Sequence, residues 1–323
     1  MIDVLMLTIS DWANTGYRFS KCLELLGLNV MFLKRGKHKF NYPIQGKVVS
    51  LTAESLKPLA EKAKVIHYIA STYVDTGINL ENKKIIVQHG GSKYRKKYTE
   101  VNGIFNPIVD VSICQMPELM LLGPKNPVYI SFPVDIDFIK PDYKRRDDKK
   151  LIIGHFPSSI QVKGTHTILK VINVLKNDPK FKDKFEYIGS DLNVDSKLDW
   201  VENLERMRKC DIIIDACNPT QKSENGDVAY GEWGNVAFEA AALGKIVITH
   251  SLLNEFYKKE YGDLFLYIAN NEKQLMKVLK GVLNLSDKQI LHKRKMTRNW
   301  IVSKHSFEAT ATRLWEKVYK DLL

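Results

Sequence analysis

Lys163-Gly164 stands immediately before a stretch of helical periodicity that starts at Thr165. An ammonium, a glycine that lets backbone come close, and the partial positive charge of a helix N-terminus together favour a phosphate or a developing oxyanion. The segment Asp227–Thr249 repeats the theme as a glycine-bearing loop, a helix, and a strand from near Lys245. Gly231 and Gly234 loosen the loop, and Gly234, Asn235 and Val236 would offer backbone N–H groups at the start of the helix. Glu232 and Glu239 bracket that start, and Glu239, inside the helix, is suited to accept hydrogen bonds from hydroxyls such as those of a ribose. His89 closes an apolar strand ahead of Gly90 and Gly91, whereas His67 lies inside an apolar strand and reads as core. Each has a plainer alternative: a simple turn at Lys163-Gly164, a solvated helix face for the glutamates, a packed ring for His89.

Alternating strands and helices must position these residues. The first half reads as strand Val4–Ile9, a loop with Asp11 and Gly16, helix Tyr17–Leu26, strand Asn29–Lys34, helix Glu54–Lys64, and strands Val65–Ala70, Lys84–His89, Val109–Cys114 and Val128–Phe132. Periodicity lapses and charge dominates over Asp135–Lys150, which reads as a linker. Alternation then restarts with strand Leu151–Phe156, helix Thr165–Lys176, strand Phe185–Ile188, helix Trp200–Lys209, strand Asp211–Asp215, helix Glu272–Leu283 and terminal helices from Ser286. This is an α/β chain of two Rossmann-like parallel-sheet halves, with ligand expected where the carboxyl ends of the two sheets face each other. Only Gly16 stands where a dinucleotide fingerprint needs three spaced glycines, which argues against a nicotinamide cofactor.

Composition narrows the class. The 323 residues are 44% hydrophobic and 27% charged, as in a globular protein of two ordinary domains. Cys22, Cys114, Cys210 and Cys217 show neither metal spacing nor a secreted framework. The apolar start Met1–Ser10 carries Asp3 and lacks a basic n-region, so it reads as a buried strand, and no apolar run nears the ~20 residues of a spanning helix. A cytoplasmic protein is expected, with peripheral contact at an inner membrane face allowed. The net charge of +12 favours a polyanionic partner. Residues 1–140 hold eighteen Lys and Arg against twelve Asp and Glu, half of the excess, so no dedicated nucleic-acid domain stands out. Two basic segments follow strands: Lys34–Phe40, and Ser92–Tyr98, in which Tyr94 and Tyr98 interleave with Lys93, Arg95, Lys96 and Lys97. Read as loops at the carboxyl ends of parallel strands, both would serve an anionic acceptor, with a solvated charge run as the alternative.

The order of these motifs resembles the GT-B glycosyltransferases, in particular the large retaining family that uses nucleotide-activated sugars. Asn14-Thr-Gly16 falls at that family's N-terminal glycine loop and His89-Gly90 at its "HG". Pro133-Val-Asp135 with Phe138 and Pro141 is similar to its "GVD…F.P" stretch. Ile153-Gly154 with Lys163-Gly164 resembles its "vGr…KG" loop, and Gly231–Thr249 resembles its "E-x(7)-E" segment. Two departures stand out: Gly231 occupies the position of the first glutamate, with Glu232 displaced by one, and His155 replaces the phosphate-loop arginine.

The resemblance implies a GT-B fold with an acceptor domain over 1–140, a donor domain over 141–305, and a terminal helix over 306–323 packing back towards the first. It implies transfer of a hexosyl group from a UDP- or GDP-sugar, with retention, to a glycan, lipid-linked or other anionic acceptor, without a tightly bound cofactor or metal. Lys163 would stabilise the leaving phosphate, and Gly16, Gly164, Gly234, Asn235 and Val236 would serve the diphosphate. Glu239 would hold the ribose, Glu232 sugar hydroxyls, and His89 the sugar ring. Asp11, Lys93, Tyr94, Arg95, Lys96 and Lys97 would lie on the acceptor side, with Asp11 a base if the reaction inverts. The alternatives are a transferase acting on hydroxymethylated DNA bases and a non-catalytic protein of the same fold. Oligomeric state has no signature.

Overall fold

The computed structural model describes residues 1–38, 40–144, 150–189, 199–229 and 233–323. The chain divides into two compact units, Met1–Asp135 with Lys222–Val228 and His305–Leu323, and Ile136–Gln221 with Ala229–Lys304. Glu232 and Gly231 of the expected sugar-binding pattern, and part of the charged linker, lie outside the described residues.

The first unit runs β1 (Ile2–Thr8), α1 (Thr15–Leu25), β2 (Val30–Lys34), β3 (Lys47–Val48), α2 (Ala53–Lys62), β4 (Ala63–Tyr68), β5 (Lys84–His89), α3 (Gly91–Phe105), β6 (Val111–Cys114) and β7 (Pro127–Tyr129). Its seven strands are parallel, in the order β3-β2-β1-β4-β5-β6-β7. Continuous apolar runs such as Val4–Leu7 are buried on both faces, as a parallel sheet requires. One face packs Val4, Met6, Ile86 and Ile113 against Phe19 of α1 and Leu314 of the terminal helix Phe307–Leu314. Thr52 starts α2 with a capping box: its hydroxyl accepts from Ser55 N at 3.2 Å, and Ser55 Oγ accepts from Thr52 N at 3.2 Å.

The second unit continues with β8 (Leu151–His155), α4 (Ile160–Lys163), α5 (Thr165–Asn177), β9 (Phe185–Gly189), α6 (Trp200–Arg208) and β10 (Ile212–Ile214). A hairpin follows, β11 (Thr220–Ser223) with β12 (Gly226–Ala229), then α7 (Asn235–Ala242), β13 (Ile246–Thr249), α8 (Asn254–Tyr261), β14 (Tyr267–Ile268), α9 (Glu272–Val282) and α10 (Asp287–His305). The sheet is parallel with order β14-β13-β10-β8-β9, and Ile153, Ile212 and Ile248 pack on Ile168, Ile172 and Leu279. Sequence order reverses between β8 and β10 here, and between β1 and β4 in the first unit. Beyond the carboxyl ends of such strand pairs the flanking loops part and leave a crevice.

The sequence reading lacks β3, α8 and β14, and it differs at two segments that it singled out. Ser92–Tyr98 is helical, the opening of α3, because Tyr94, Arg95, Val101 and Phe105 form its buried side. Asp227–Ala229 is not loop but strand, because Asn225-Gly226 turns the chain back on Thr220–Ser223. The turn residue Glu224, which groups with the first unit, donates its N–H to Arg95 O and accepts from Thr99 N, both at 3.0 Å.

Candidate functional site

At the switch point of the second unit, β8 leads into α4, which ends at Lys163, and β10 ends one residue before Asp215. Lys163 Nζ donates to Asp215 Oδ1 at 2.8 Å. Asp215 Oδ2 accepts from Gly234 N at 2.9 Å and from Thr249 Oγ1 at 3.2 Å. The carboxylate is wholly enclosed, while the Lys163 side chain keeps 7% exposure. Burial alone would raise the Asp215 pKa, but the Lys163 ammonium and the Gly234 N–H outweigh it and hold the group below its usual range.

Both glycines are needed where they stand. Gly164 has φ +69, and a Cβ there would lie 2.5 Å from Cys217 O. A Cβ on Gly234 would overlap Lys163 Nζ and approach the Asp215 carboxylate to 2.8 Å. Gly234 is fixed from behind by Trp233, fully buried among Tyr257 at 4.5 Å, Trp300 at 5.5 Å and Phe238 at 5.8 Å between ring centroids. From Gly234 the chain enters α7, where Asn235 and Val236 carry first-turn N–H groups that helix geometry leaves without an intrahelical partner. Lys163, Gly164, Gly234 and Asn235 thus meet at one place, reached through the adjacency of β8 and β10.

Glu239 lies deeper in α7 and is buried rather than on a solvated face. Its Oε1 accepts from the Trp200 indole Nε1 at 2.8 Å, and the Trp200 ring packs at 5.2 Å from Phe138. His155, where the resemblance expects arginine, is fully enclosed. Its Nδ1–H donates to Ile214 O at 2.7 Å and its Nε2 accepts from Thr165 Oγ1 at 2.9 Å, an assignment that fits a neutral ring. Burial brings its pKa down to about 4, so His155 supplies no cation at neutral pH and instead ties α5 to β10.

In the first unit, Asp11 is buried at the β1 side of the switch point. It accepts from Gly16 N at 2.6 Å and Tyr17 N at 3.2 Å, so the first turn of α1 is already met by a carboxylate. Burial lifts the Asp11 pKa to about 6 against the pull of those bonds. Gly16 is small because the Phe32 ring fills the space a Cβ would take. On the β4 side, Ala70 and Ser71 hold left-handed φ values of 58° and 53°. Ser71 Oγ lies 2.9 Å from His89 Nδ1, and the His89 ring stacks on Tyr94 with centroids 3.9 Å apart. His89 Nε2 is buried without a hydrogen-bond partner, and burial takes the ring's pKa to about 3.

The basic run of α3 splits by face. Tyr94 is buried against His89, and Arg95 is buried in an ion pair with Glu118 at 2.5 Å. Helical spacing turns both inward, away from any acceptor. Lys93, Lys96 and Lys97 stay exposed, Lys93 Nζ donating to Ser71 O at 3.2 Å and Thr72 Oγ1 at 3.1 Å, and Lys97 pairing with Glu100 at 2.9 Å. Three residues of these clusters carry no site role in the sequence reading: Asp215, Trp200 and Ser71. Asp215 had a signal, as the lone acid closing an all-isoleucine strand. No helix among the described residues is long and apolar enough to cross a membrane.

No family model matches the chain, and no curated protein matches its sequence. Solved structures do. HepE of Anabaena, in complex with UDP-glucose, is 12% identical with a TM-score of 0.63, over 99% of this chain and 100% of that one. The sucrose-phosphate synthase of Thermosynechococcus elongatus is 13% identical with a TM-score of 0.60, over 100% and 99%. A Listeria monocytogenes protein assigned as a UDP-N-acetylglucosamine 2-epimerase is 11% identical with a TM-score of 0.59, over 100% and 97%. At such identities the likeness is one of fold, and the fold is GT-B, built of two parallel α/β sheets.

Proposed function

We propose that the chain is a glycosyltransferase whose second unit binds a nucleoside-diphosphate sugar and whose first unit binds the acceptor. The observation that carries this reading is the convergence of Lys163, Gly164 and the Gly234 start of α7 at the switch point of the second sheet. A cation and first-turn amides gathered there suit a diphosphate, and the charge that develops on a departing phosphate is what a fixed ammonium stabilises. Glu239, buried and steadied by Trp200, suits a pair of ribose hydroxyls. HepE crystallises with UDP and with UDP-glucose in the same fold, which supports a uridine donor.

Transfer with retention, the acceptor hydroxyl attacking from the leaving-group side, is what the motif resemblance implies. Exposed Lys93, Lys96 and Lys97 favour an anionic acceptor, a glycan or a lipid-linked phosphate. The test is release of glucose from UDP-glucose, and of mannose from GDP-mannose, with water as the acceptor. Turnover of one of them, lowered by about 10²–10³ in Lys163→Met, is expected. Conversion of UDP-N-acetylglucosamine to its epimer without transfer would contradict the reading and favour the epimerase chemistry assigned to the Listeria relative.

A further inference from the structure

Lys163, the last residue of α4, is held by a carboxylate that follows β10. Asp215 is separated from Lys163 by 52 positions and from Gly234 by 19, yet its two oxygens reach both. Oδ1 takes the Lys163 ammonium, while Oδ2 takes the Gly234 N–H and the Thr249 hydroxyl. One carboxylate therefore fixes the cation and the beginning of α7 relative to each other.

The geometry is demanding. The space that a Cβ on Gly234 would need is filled by the Lys163 ammonium and the Asp215 oxygens, so the three groups are in contact with no slack. Trp233 and the strand end at Thr249 hold the other side. Asp215 has no exposed side-chain surface, so it does not itself meet a ligand, whereas Lys163 retains some. The arginine expected beside Lys163 is replaced by His155, which is enclosed and bonded to Ile214 O and Thr165. With no cation supplied at position 155, the placement of Lys163 matters more than it would beside an arginine.

We infer that Asp215 is a positioning residue for sugar transfer: by holding Gly234 N it sets the Lys163 ammonium against the first-turn amides of Asn235 and Val236, so that cation and amides meet the donor diphosphate at once. The inference rests on the donor reading above. An amide at this position cannot replace the carboxylate. If the Asn carbonyl faces Lys163, its NH₂ opposes the Gly234 N–H; if flipped, its NH₂ opposes the ammonium.

The test is a double-mutant cycle on the full chain, with UDP for binding and UDP-glucose for turnover. Asp215→Asn should lower kcat by about 10- to 100-fold, the range of one misplaced electrostatic group, while the UDP Kd rises less than about 5-fold. In a Lys163→Met background the same change should lower kcat by less than 2-fold, because Asp215 acts through Lys163. Independent, multiplying losses would overturn the inference, as would wild-type kcat in Asp215→Asn. If Asp215→Asn does not fold, the ¹⁵N signal of the Lys163 ammonium in the wild-type chain decides. A slowly exchanging resonance that shifts when UDP is added supports the role, and a solvent-averaged one overturns it. Wild-type protein that binds neither UDP nor GDP and turns over neither UDP-glucose nor GDP-mannose would overturn the donor reading itself and this role with it, a result distinct from an active enzyme indifferent to Asp215.

Discussion

Single buried side chains decide how this protein responds to acid. His67 and His89 have pKa values pulled from 6.5 to about 3, and His155 to about 4, each by burial. Their unfolded forms take up a proton near pH 6.5, so the stability that depends on their neutrality is present above that pH and is lost as pH falls towards 4. Asp11 works the other way: its folded pKa of about 6 exceeds the usual carboxylate value of 3.8, so it favours the fold more as it is protonated on acidification. Three groups against one predict that the melting temperature falls between pH 6.5 and 4.5, and that His67→Phe makes the fall shallower. A melting temperature that is flat or rising over that interval would contradict these assignments. The same residues show what composition hides. His155 occupies a position where a cation is expected, and only its bonds to Ile214 O and Thr165 reveal a neutral tie between β10 and α5.

Helix α3 shows how an element can be misjudged from its charges. Gly90 and Gly91 read as a loop, and the run of cations that follows reads as exposed, yet Tyr94, Arg95, Val101 and Phe105 recur at helical spacing and are buried. The charge of Arg95 concealed the apolar side, since an arginine is buried only when paired. Its partner Glu118 lies 23 positions away and is itself buried, which no local pattern announces. Arg95→Met should leave that carboxylate unpaired and cost about 3–5 kcal/mol in urea unfolding, and Glu118→Gln in the same chain should restore part of the loss. Wild-type stability in Arg95→Met would show that the pair does not hold α3. By contrast α1, α5 and α9 carry uninterrupted apolar stripes and were readable within a few residues. The β11–β12 hairpin was missed despite Asn225-Gly226, because its strands Thr220–Ser223 and Gly226–Ala229 are short and mostly polar.

Across the whole chain, the order of strands and helices conveys the two parallel sheets, while the site depends on which strands become neighbours. Lys163 and Gly164 attract notice in the sequence by type and place; Asp215 does not, because its meaning appears only when β10 lies beside β8. The same adjacency converts Gly234 from one glycine among 18 into a contact with Lys163 and Asp215. Charge was a weaker guide: of the cations between Ser92 and Tyr98, Arg95 is spent inside the fold, while Lys93, Lys96 and Lys97 stay exposed. The central claim is that the crevice of the second sheet receives a nucleoside diphosphate. The most direct measurement is the unfolding free energy of the full chain with and without UDP or GDP, which takes no account of acceptor or sugar. A ligand held at a hundred times its Kd should add about 2.7 kcal/mol, and Lys163→Met should remove most of that gain. If neither nucleotide stabilises the wild-type chain at millimolar concentration, the claim is wrong.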